Sequence, residues 1–323
     1  MILITGGAGY IGSHVNKLLN QSGYETVVLD NLSYGYKDFV KWGEFVEGNI
    51  SDEDILDYIF ETYNIEAVMD FAAFISVGES IDYPEMYMKN NFEDTLILIK
   101  HMKKHNVRKF IFSSTAAVYG IPNEVPIKEN HQLKPINPYG ESKLKVEQTL
   151  SNDDDIDYVI FRYFNASGDD PDCEIGELHI PETHLIPLVL DTALGLRDSI
   201  SIFGNDYNTP DGTCIRDYIH VNDIASAHLM GLEYLLNDGE SDIFNIGNGK
   251  GFSVKEVIDV CKKVTGKDFK VNIESRRPGD PDILIADSTK LEKKLKWKAK
   301  YYNLESIIET AWIWSQKINE DKI

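Results

Sequence analysis

Cysteine is scarce: Cys173, Cys214 and Cys261 are the only three in 323 residues, and they stand far apart. That spacing excludes a disulfide framework and a paired-cysteine metal site, and it points to a reducing compartment with inert thiols. Positive charge is scarce too, with 32 Lys and Arg against 53 Asp and Glu, a net charge of −21. Such a surface repels phosphodiester backbones and anionic membranes, so neither nucleic acid nor membrane is expected as a partner. An anionic small molecule must then be held by a few local cations and by backbone amides. Also missing are a long apolar run, a basic leader, repeats, low-complexity tracts and a flexible linker. The expected location is cytoplasmic, and no metal is expected.

What remains is an ordinary globular composition, 42% hydrophobic and 26% charged, on a chain long enough for one large α/β domain or two unequal ones. Short β-branched runs recur at 2–5, 26–30, 44–48, 67–72, 109–114 and 157–163. Between them lie helix-like stretches near 10–22, 52–63, 85–105 and 139–151. Alternation with connections of this length predicts an α/β fold, a doubly wound parallel sheet covered on both faces. The acidic run at 151–157 is expected to be a solvated connection. After about residue 165 the rhythm loosens into a segment rich in Gly, Pro and acids, suited to shaping around something. Further helices are expected near 184–195, 222–237, 253–265 and 303–317, with a short strand at 242–247. The second part should pack directly on the first and leave a cleft between them.

"TGGAGYIGSH" follows the first strand and opens the first helix, with Gly6, Gly9 and Gly12 three residues apart. Glycine permits the tight turn, the approach of amides to a pyrophosphate and close packing of helix on sheet. Asp30 ends the next strand, 18 residues after Gly12. The combination is a dinucleotide fingerprint of Rossmann type. A carboxylate there accepts from the adenosine ribose diol and repels a 2′-phosphate. With Asn31 beside it and no neighbouring arginine, the cofactor expected is NAD.

Ser113, Ser114 and Thr115 end a sheet strand, on the side where open α/β sheets bind ligands. Pro138 opens the following helix, which places Tyr139 and Lys143 one turn apart on one face. A hydroxyl, a phenol and an ammonium can thus converge where a nicotinamide would lie.

With these residues the chain resembles the extended short-chain dehydrogenase/reductase family, and within it the nucleotide-sugar 4-epimerases. The resemblance runs over nearly the whole chain, through "TGGAGYIGSH", "DNLS", "FAA…VGES", "SSTAAVYG", "NPYGESK", "RYFNASG", "ETHLIP", "IFGNDYNTPDGTCIRDYIHV" and "RRPGD". It implies a Rossmann-like NAD-binding domain over 1–165, with a return near 213–237, and a smaller mixed α/β substrate-binding domain over 166–323. It implies the interconversion of UDP-glucose and UDP-galactose through a transient 4-keto sugar on tightly bound NAD. Tyr139 is then the base and acid, Lys143 holds the nicotinamide ribose and lowers the phenol pKa, and Thr115 bonds the sugar oxygen. Holding a phenol ready at neutral pH takes about 4 kcal/mol of preferential phenolate stabilisation. The NAD contacts implied are Gly6, Gly9, Tyr10, Ile11, Gly12, Asp30, Asn31, Asn49, Ile50, Phe71, Ala72, Ala73, Asn90, Ser113 and Phe164. The UDP-sugar contacts implied are Asn165, His184, Leu185, Phe203, Arg216, Tyr218, Val254, Arg277 and Asp280.

Three positions depart from common family patterns: Asn49 stands for an aspartate, Ile75 for a lysine and His184 for an asparagine. Related dehydratases place Asp-Glu directly after the threonine, where this chain has Ala116 and Ala117, so the resemblance favours epimerisation. A non-catalytic NAD-binding regulator is the alternative of another class, and it commonly lacks the Tyr/Lys pair present here. Leu284 falls where relatives gate the sugar 2-substituent, which leaves UDP-N-acetylhexosamines, pentoses or glucuronate as alternative sugars. Relatives pair as homodimers through the helices corresponding to 85–105 and 139–151.

Overall fold

The computed structural model describes residues 1–277 and 279–320; Pro278 of the "RRPGD" motif and the last residues of the expected second domain lie outside them. In chain order the first half contains β1 (Ile2–Thr5), α1 (Tyr10–Gln21), β2 (Thr26–Asp30), β3 (Glu44–Glu47), α2 (Glu53–Thr62), β4 (Ala67–Asp70), α3 (Val77–Asp82), α4 (Pro84–Met88), α5 (Asp94–Lys104), β5 (Lys109–Thr115), α6 (Pro138–Ser151) and β6 (Asp157–Tyr163). The second half contains β7 (Asn165–Ser167), α7 (Leu185–Ala193), β8 (Ser199–Phe203), β9 (Ile215–His220), α8 (Val221–Leu236), β10 (Asp242–Ile246), β11 (Gly251–Ser253), α9 (Val254–Thr265), β12 (Lys270–Glu274), β13 (Ile283–Leu284), α10 (Thr289–Leu295) and α11 (Leu304–Glu320).

Seven strands form one parallel sheet in the order β10-β6-β5-β4-β1-β2-β3, the doubly wound arrangement expected. Strand period sorts its side chains into two cores. Ile2, Ile4, Val28, Met69, Ile111 and Phe161 face one side, packed with α1 and α8 residues such as Val15, Leu19, Ile224 and Leu232. Leu3, Val27, Leu29, Val68, Phe110 and Ile160 face the other, packed with Leu56, Ile59, Leu98, Met102 and Val146 of α2, α5 and α6. Burial on both faces is why these strands read as continuous apolar runs rather than alternating ones. β10 completes this sheet from beyond residue 237, pairing residue for residue with β6.

The remaining strands form two smaller groups. β9 lies between β11 and β13 and also pairs with β7, and β8 pairs with β12. Their core joins Ile186, Leu190, Ile200, Ile202, Val257, Ile258, Ile307 and Ile308. Asn165 pairs with Tyr218 in the β7–β9 ladder, which ties the end of the large sheet to the second group.

Helix starts follow local chemistry. The Asp52 carboxylate accepts from the amides of Asp54 and Ile55 to cap α2, and Asn137 accepts from the Gly140 amide at the start of α6, where Pro138 needs no donor. Ser253 and Glu256 form a capping box on α9, and Gly266 ends that helix in the left-handed region.

The stretch 85–105 is not one regular helix. Between α4 and α5 the chain widens into a π turn over Lys89–Glu93. The Asn91 side chain there donates to the Phe74 carbonyl and accepts from the Phe74 amide, both near 2.9 Å. The neighbouring Asn90, inside the wide turn, lines a cavity at the sheet's carboxyl edge, and π bulges are common near binding sites. The acidic segment after α6 is a short connection to β6, as expected. No helix among the described residues is long and apolar enough to cross a membrane.

Candidate active site

Two adjoining cavities open at the carboxyl ends of β1, β2, β4, β5 and β6, and both are walled by Gly6, Gly9, Phe71 and Ala73. Gly6 has φ +68°, and a Cβ on it would lie 2.6 Å from the backbone of Phe71 and Ala72. A Cβ on Gly12 would lie 2.3 Å from the Gly6 carbonyl oxygen. No side chain fits at either position, so the turn between β1 and α1 stays tight and its amides stay close to the cavity. α1 begins there with no side-chain cap and no acid in its first turn. Its positive end thus faces the space where a pyrophosphate would lie.

The first cavity also contains Asp30, Asn31, Asn49, Ile50, Ala72 and Asn90 from the sequence-based set. The Asp30 Oδ2 accepts from the Ala8 amide at 2.9 Å and Oδ1 from the Leu32 amide at 2.8 Å. Burial pushes this carboxyl up, and the two amides pull it part of the way down. An ionised carboxylate offers about four lone-pair sites, so acceptor capacity is left for a ribose diol. The donor-lined turn, the acceptor at the end of β2 and the glycine cradle together fit a dinucleotide. Ser33, Tyr34, Gly35, Gly48 and Phe74 line the same cavity and were not anticipated, because loop walls carry no periodic signal.

The second cavity, about 250 Å³, gathers Tyr10, Ile11, Gly12, Ser113, Thr115, Tyr139, Lys143, Phe164, Asn165 and His184. Tyr139 stands edge-on to Tyr87, with ring centroids 6.4 Å apart. Burial pushes its phenol above the ordinary value, and the Thr115 hydroxyl, as hydrogen-bond partner, pulls it part of the way back. Lys143 lies over the Phe112 ring at 4.8 Å; burial takes its ammonium down to about 8, while Asp70 and Glu147 pull upward. In the protein alone, burial therefore governs the phenol, and the lowering expected from Lys143 is not found: only Thr115 acts against burial. The lysine's charged neighbours are the two carboxylates.

Behind α6 lies a buried polar network that local pattern could not reveal. The Arg162 Nε donates to both Glu147 oxygens at 3.0 and 3.1 Å, and each residue is only 2% exposed. The Ser114 hydroxyl donates to Glu147 as well. Arg162 Nη1 continues to the Tyr119 hydroxyl and the Glu129 carbonyl, and Tyr119 donates to Asn245. Glu147 is one turn beyond Lys143, so the network locks α6 to β5 and β6.

The other sequence-based substrate residues form a second cluster around β8, β9 and α9. The Arg216 Nη1 donates to the carbonyls of Ile215 and Pro281 at 2.9 Å, and Nη2 lies 3.3 Å from Asp280. Arg277 stacks on Phe203 at 4.0 Å. The Tyr218 ring is 5% exposed and belongs to the apolar core, and Leu185 and Val254 pack against that core. Leu284 pairs with Arg216 and packs near Phe164 and Ala116. The buried Asp217 carboxylate accepts from the amides of Asn248, Gly249 and Ala286, which pins two loops to β9 beside Arg216.

Glu177 and His179 also wall the second cavity beside His184. The only sequence signal for them was the irregular segment they occupy.

A family model described as the NAD dependent epimerase/dehydratase family matches residues 2–247. A UDP-glucose 4-epimerase of Halalkalibacterium halodurans is 50% identical over 98% of this chain and 96% of its own. A crystal structure of a UDP-glucose 4-epimerase superposes with TM-score 0.96 at 51% identity, covering 98% of this chain and 97% of that one. The Bifidobacterium longum UDP-glucose 4-epimerase, solved in complex with NAD+ and UDP, superposes with TM-score 0.93 at 38% identity, covering 98% of both chains.

Proposed function

Because the chain belongs to the NAD dependent epimerase/dehydratase family, we propose that it interconverts UDP-glucose and UDP-galactose by inverting carbon 4 of the hexose. One observation carries the reading: Tyr139, Lys143 and Thr115 share a cavity that is continuous, through Gly6 and Gly9, with the one Asp30 walls. NAD, when bound, would supply a hydride acceptor and a positive charge. Gly6, Gly9, Tyr10, Ile11 and Gly12 would hold its pyrophosphate, and Asp30, Asn31, Asn49, Ile50, Phe71, Ala72, Ala73 and Asn90 its adenosine side. Ser113, Lys143 and Phe164 border the nicotinamide side.

Tyr139 takes the proton of the sugar 4-hydroxyl as hydride leaves carbon 4 for the nicotinamide, and it returns a proton to the same oxygen when hydride comes back to the opposite face of the 4-keto sugar. Thr115 orients that oxygen. Ala116 and Ala117 start the turn directly after Thr115 and carry no group able to transfer a proton. The second acid–base pair that elimination of water needs is therefore absent at that position, which supports epimerisation. Supplying UDP-galactose should yield UDP-glucose with no net change in nicotinamide absorbance; a 4-keto sugar accumulating as product would overturn the reading.

The nucleotide is held by the second cluster. Arg216 and Arg277 supply positive charge for the diphosphate on an otherwise acidic protein, with Phe203 as the surface on which Arg277 rests. Replacing Arg277 with alanine should raise the apparent KM for UDP-galactose roughly tenfold to a hundredfold, the worth of one charge-assisted contact, with kcat changing less. An unchanged KM would remove Arg277 from the site.

On this reading residues 1–165, with the later segments that return to the large sheet, bind NAD, and most of 166–323 binds the UDP-sugar in the cytoplasm. Leu96 and Ile97 of α5 are partly exposed and pack against the core that Val146 and Leu150 of α6 share. That face suits a homodimer through α5 and α6, for which sedimentation should give twice the chain mass.

A further inference from the structure

Glu177, His179 and His184 wall the second cavity, and their side chains converge there with that of Glu182. In sequence they are a Glu-x-His doublet repeated after five residues, in "ELHIPETH". In space their ligand atoms all lie within 4.8 Å of one another. The His184 Nδ1 is 2.8 Å from Glu177 and 3.0 Å from Glu182, and the His179 Nδ1 is 3.3 Å from Glu177 and 3.5 Å from Glu182.

We propose that these four residues bind one divalent transition-metal ion of the zinc class, which clamps the segment 177–184 beside the active site. The inference stands independently of the reaction assigned above.

Three observations carry it. First, a tetrahedral zinc site with bonds near 2.0–2.1 Å sets its ligand atoms about 3.4 Å apart, close to the spacings found here. Second, His184 Nδ1 meets Glu182 Oε1 in a 3.0 Å hydrogen bond, but the buried Glu177 Oε1 and His179 Nδ1 lie within ion-pair distance of their neighbours with no hydrogen bond aimed at them. A shared proton demands a donor aimed at an acceptor, so these two atoms are left facing the centre of the quartet, where a cation would sit. Third, comparable clusters elsewhere already hold a cation from the protein. Lys104 donates to both oxygens of Asp57 beside His101 and His105, and Lys17 is paired with Asp170, Asp172 and Glu174. No lysine or arginine pairs with Glu177 or Glu182 among the described residues.

Charge and support agree. Against the pull of burial, Glu177 and Glu182 raise the imidazoles to about 9 for His179 and about 10 for His184, so a divalent ion would displace two protons and keep the sum at zero in a site where Glu177 is 7% exposed. Mixed imidazole and carboxylate donors favour zinc over calcium or magnesium. Glu182 also accepts from the amides of Thr183 and His184, the Glu177 amide donates to Asp169, and the His179 ring stands edge-on to Tyr10. These contacts orient the ligands from behind. Four protein ligands leave no open position, so the ion's role is structural. It fixes an irregular segment that leads into α7 and borders the cavity.

The test uses the full-length protein, purified without a metal-binding tag, stripped with a chelator and titrated with Co²⁺. Expected is one tightly bound Co²⁺ per chain, with the intense visible absorption of tetrahedral cobalt, displaced by one equivalent of Zn²⁺. His179→Asn and Glu182→Gln should each abolish the bands or weaken Co²⁺ binding at least about tenfold. His101→Asn/His105→Asn, which dismantles the other histidine cluster, should leave them intact. Circular dichroism checks each fold, and Glu182→Gln decides the matter if His179→Asn does not fold. Absence of tetrahedral bands in the unmodified protein, their survival in the Glu182 variant, or their loss in the His101/His105 variant would each overturn the site and leave the quartet an ion-pair network.

Discussion

Replacing Tyr139 with phenylalanine is expected to lower kcat by roughly 10²- to 10⁴-fold, the range that a positioned acid–base group contributes. The ring itself should stay in place, because its edge-on contact with Tyr87 involves no hydroxyl. NAD binding, followed by cofactor fluorescence, and the thermal midpoint should therefore change little. The lost hydroxyl leaves only the Thr115 partner to rearrange. The pH profile carries independent information. The base form of the phenol must be present for proton removal, and burial raises its pKa, so the rate of the unmodified protein should climb with pH. The phenylalanine variant should lose that rising limb. Retained activity with an unchanged profile would show that another group takes the proton.

Replacing Glu147 with glutamine should be the most damaging single change to stability among residues near the site. Arg162 would be left as a buried cation without its partner, a loss of about 3–5 kcal/mol. For a chain of this size that corresponds to a fall in Tm on the order of 5–10 °C. Calorimetry measures it directly. A double variant, Glu147→Leu/Arg162→Met, should recover much of the loss, since a paired removal leaves no uncompensated charge. The double variant should nonetheless remain slow at neutral pH. Glu147 is one of two carboxylates that raise the Lys143 pKa against burial, so without it more of the lysine is neutral at pH 7. Midpoints that are equal in the single variant and the unmodified protein would mean that water, not Glu147, compensates Arg162.

The two variants probe different kinds of information. Tyr139 and Lys143 are four residues apart on one helix, and a proline and an asparagine mark where that helix begins. Their juxtaposition follows from helical geometry and could be read without a structure. The same holds for the parallel sheet, whose strands announce themselves as apolar runs at regular intervals. It also holds for Gly6, Gly9, Gly12 and Asp30, whose meaning lies in spacing along the chain.

Other features rest on approaches between distant segments. Glu147 meets Arg162 and Ser114 from separate elements, Asn90 lines its cavity from within a π turn, and Arg216 and Arg277 gather around strands outside the large sheet. The direction of the Tyr139 shift belongs here too, because desolvation depends on everything that packs around the ring. So does the convergence of Glu177, His179, Glu182 and His184.

The chain's order thus determined by itself the sheet, the dinucleotide turn and the placing of Tyr139 and Lys143 one helical turn apart, since each depends on backbone periods and separations of a few residues. Only the tertiary structure decided how strongly each group is buried, which charges face it and which distant side chains share a cavity. Solvation and Coulomb energy are set by distance in space, and distance along the chain does not specify it.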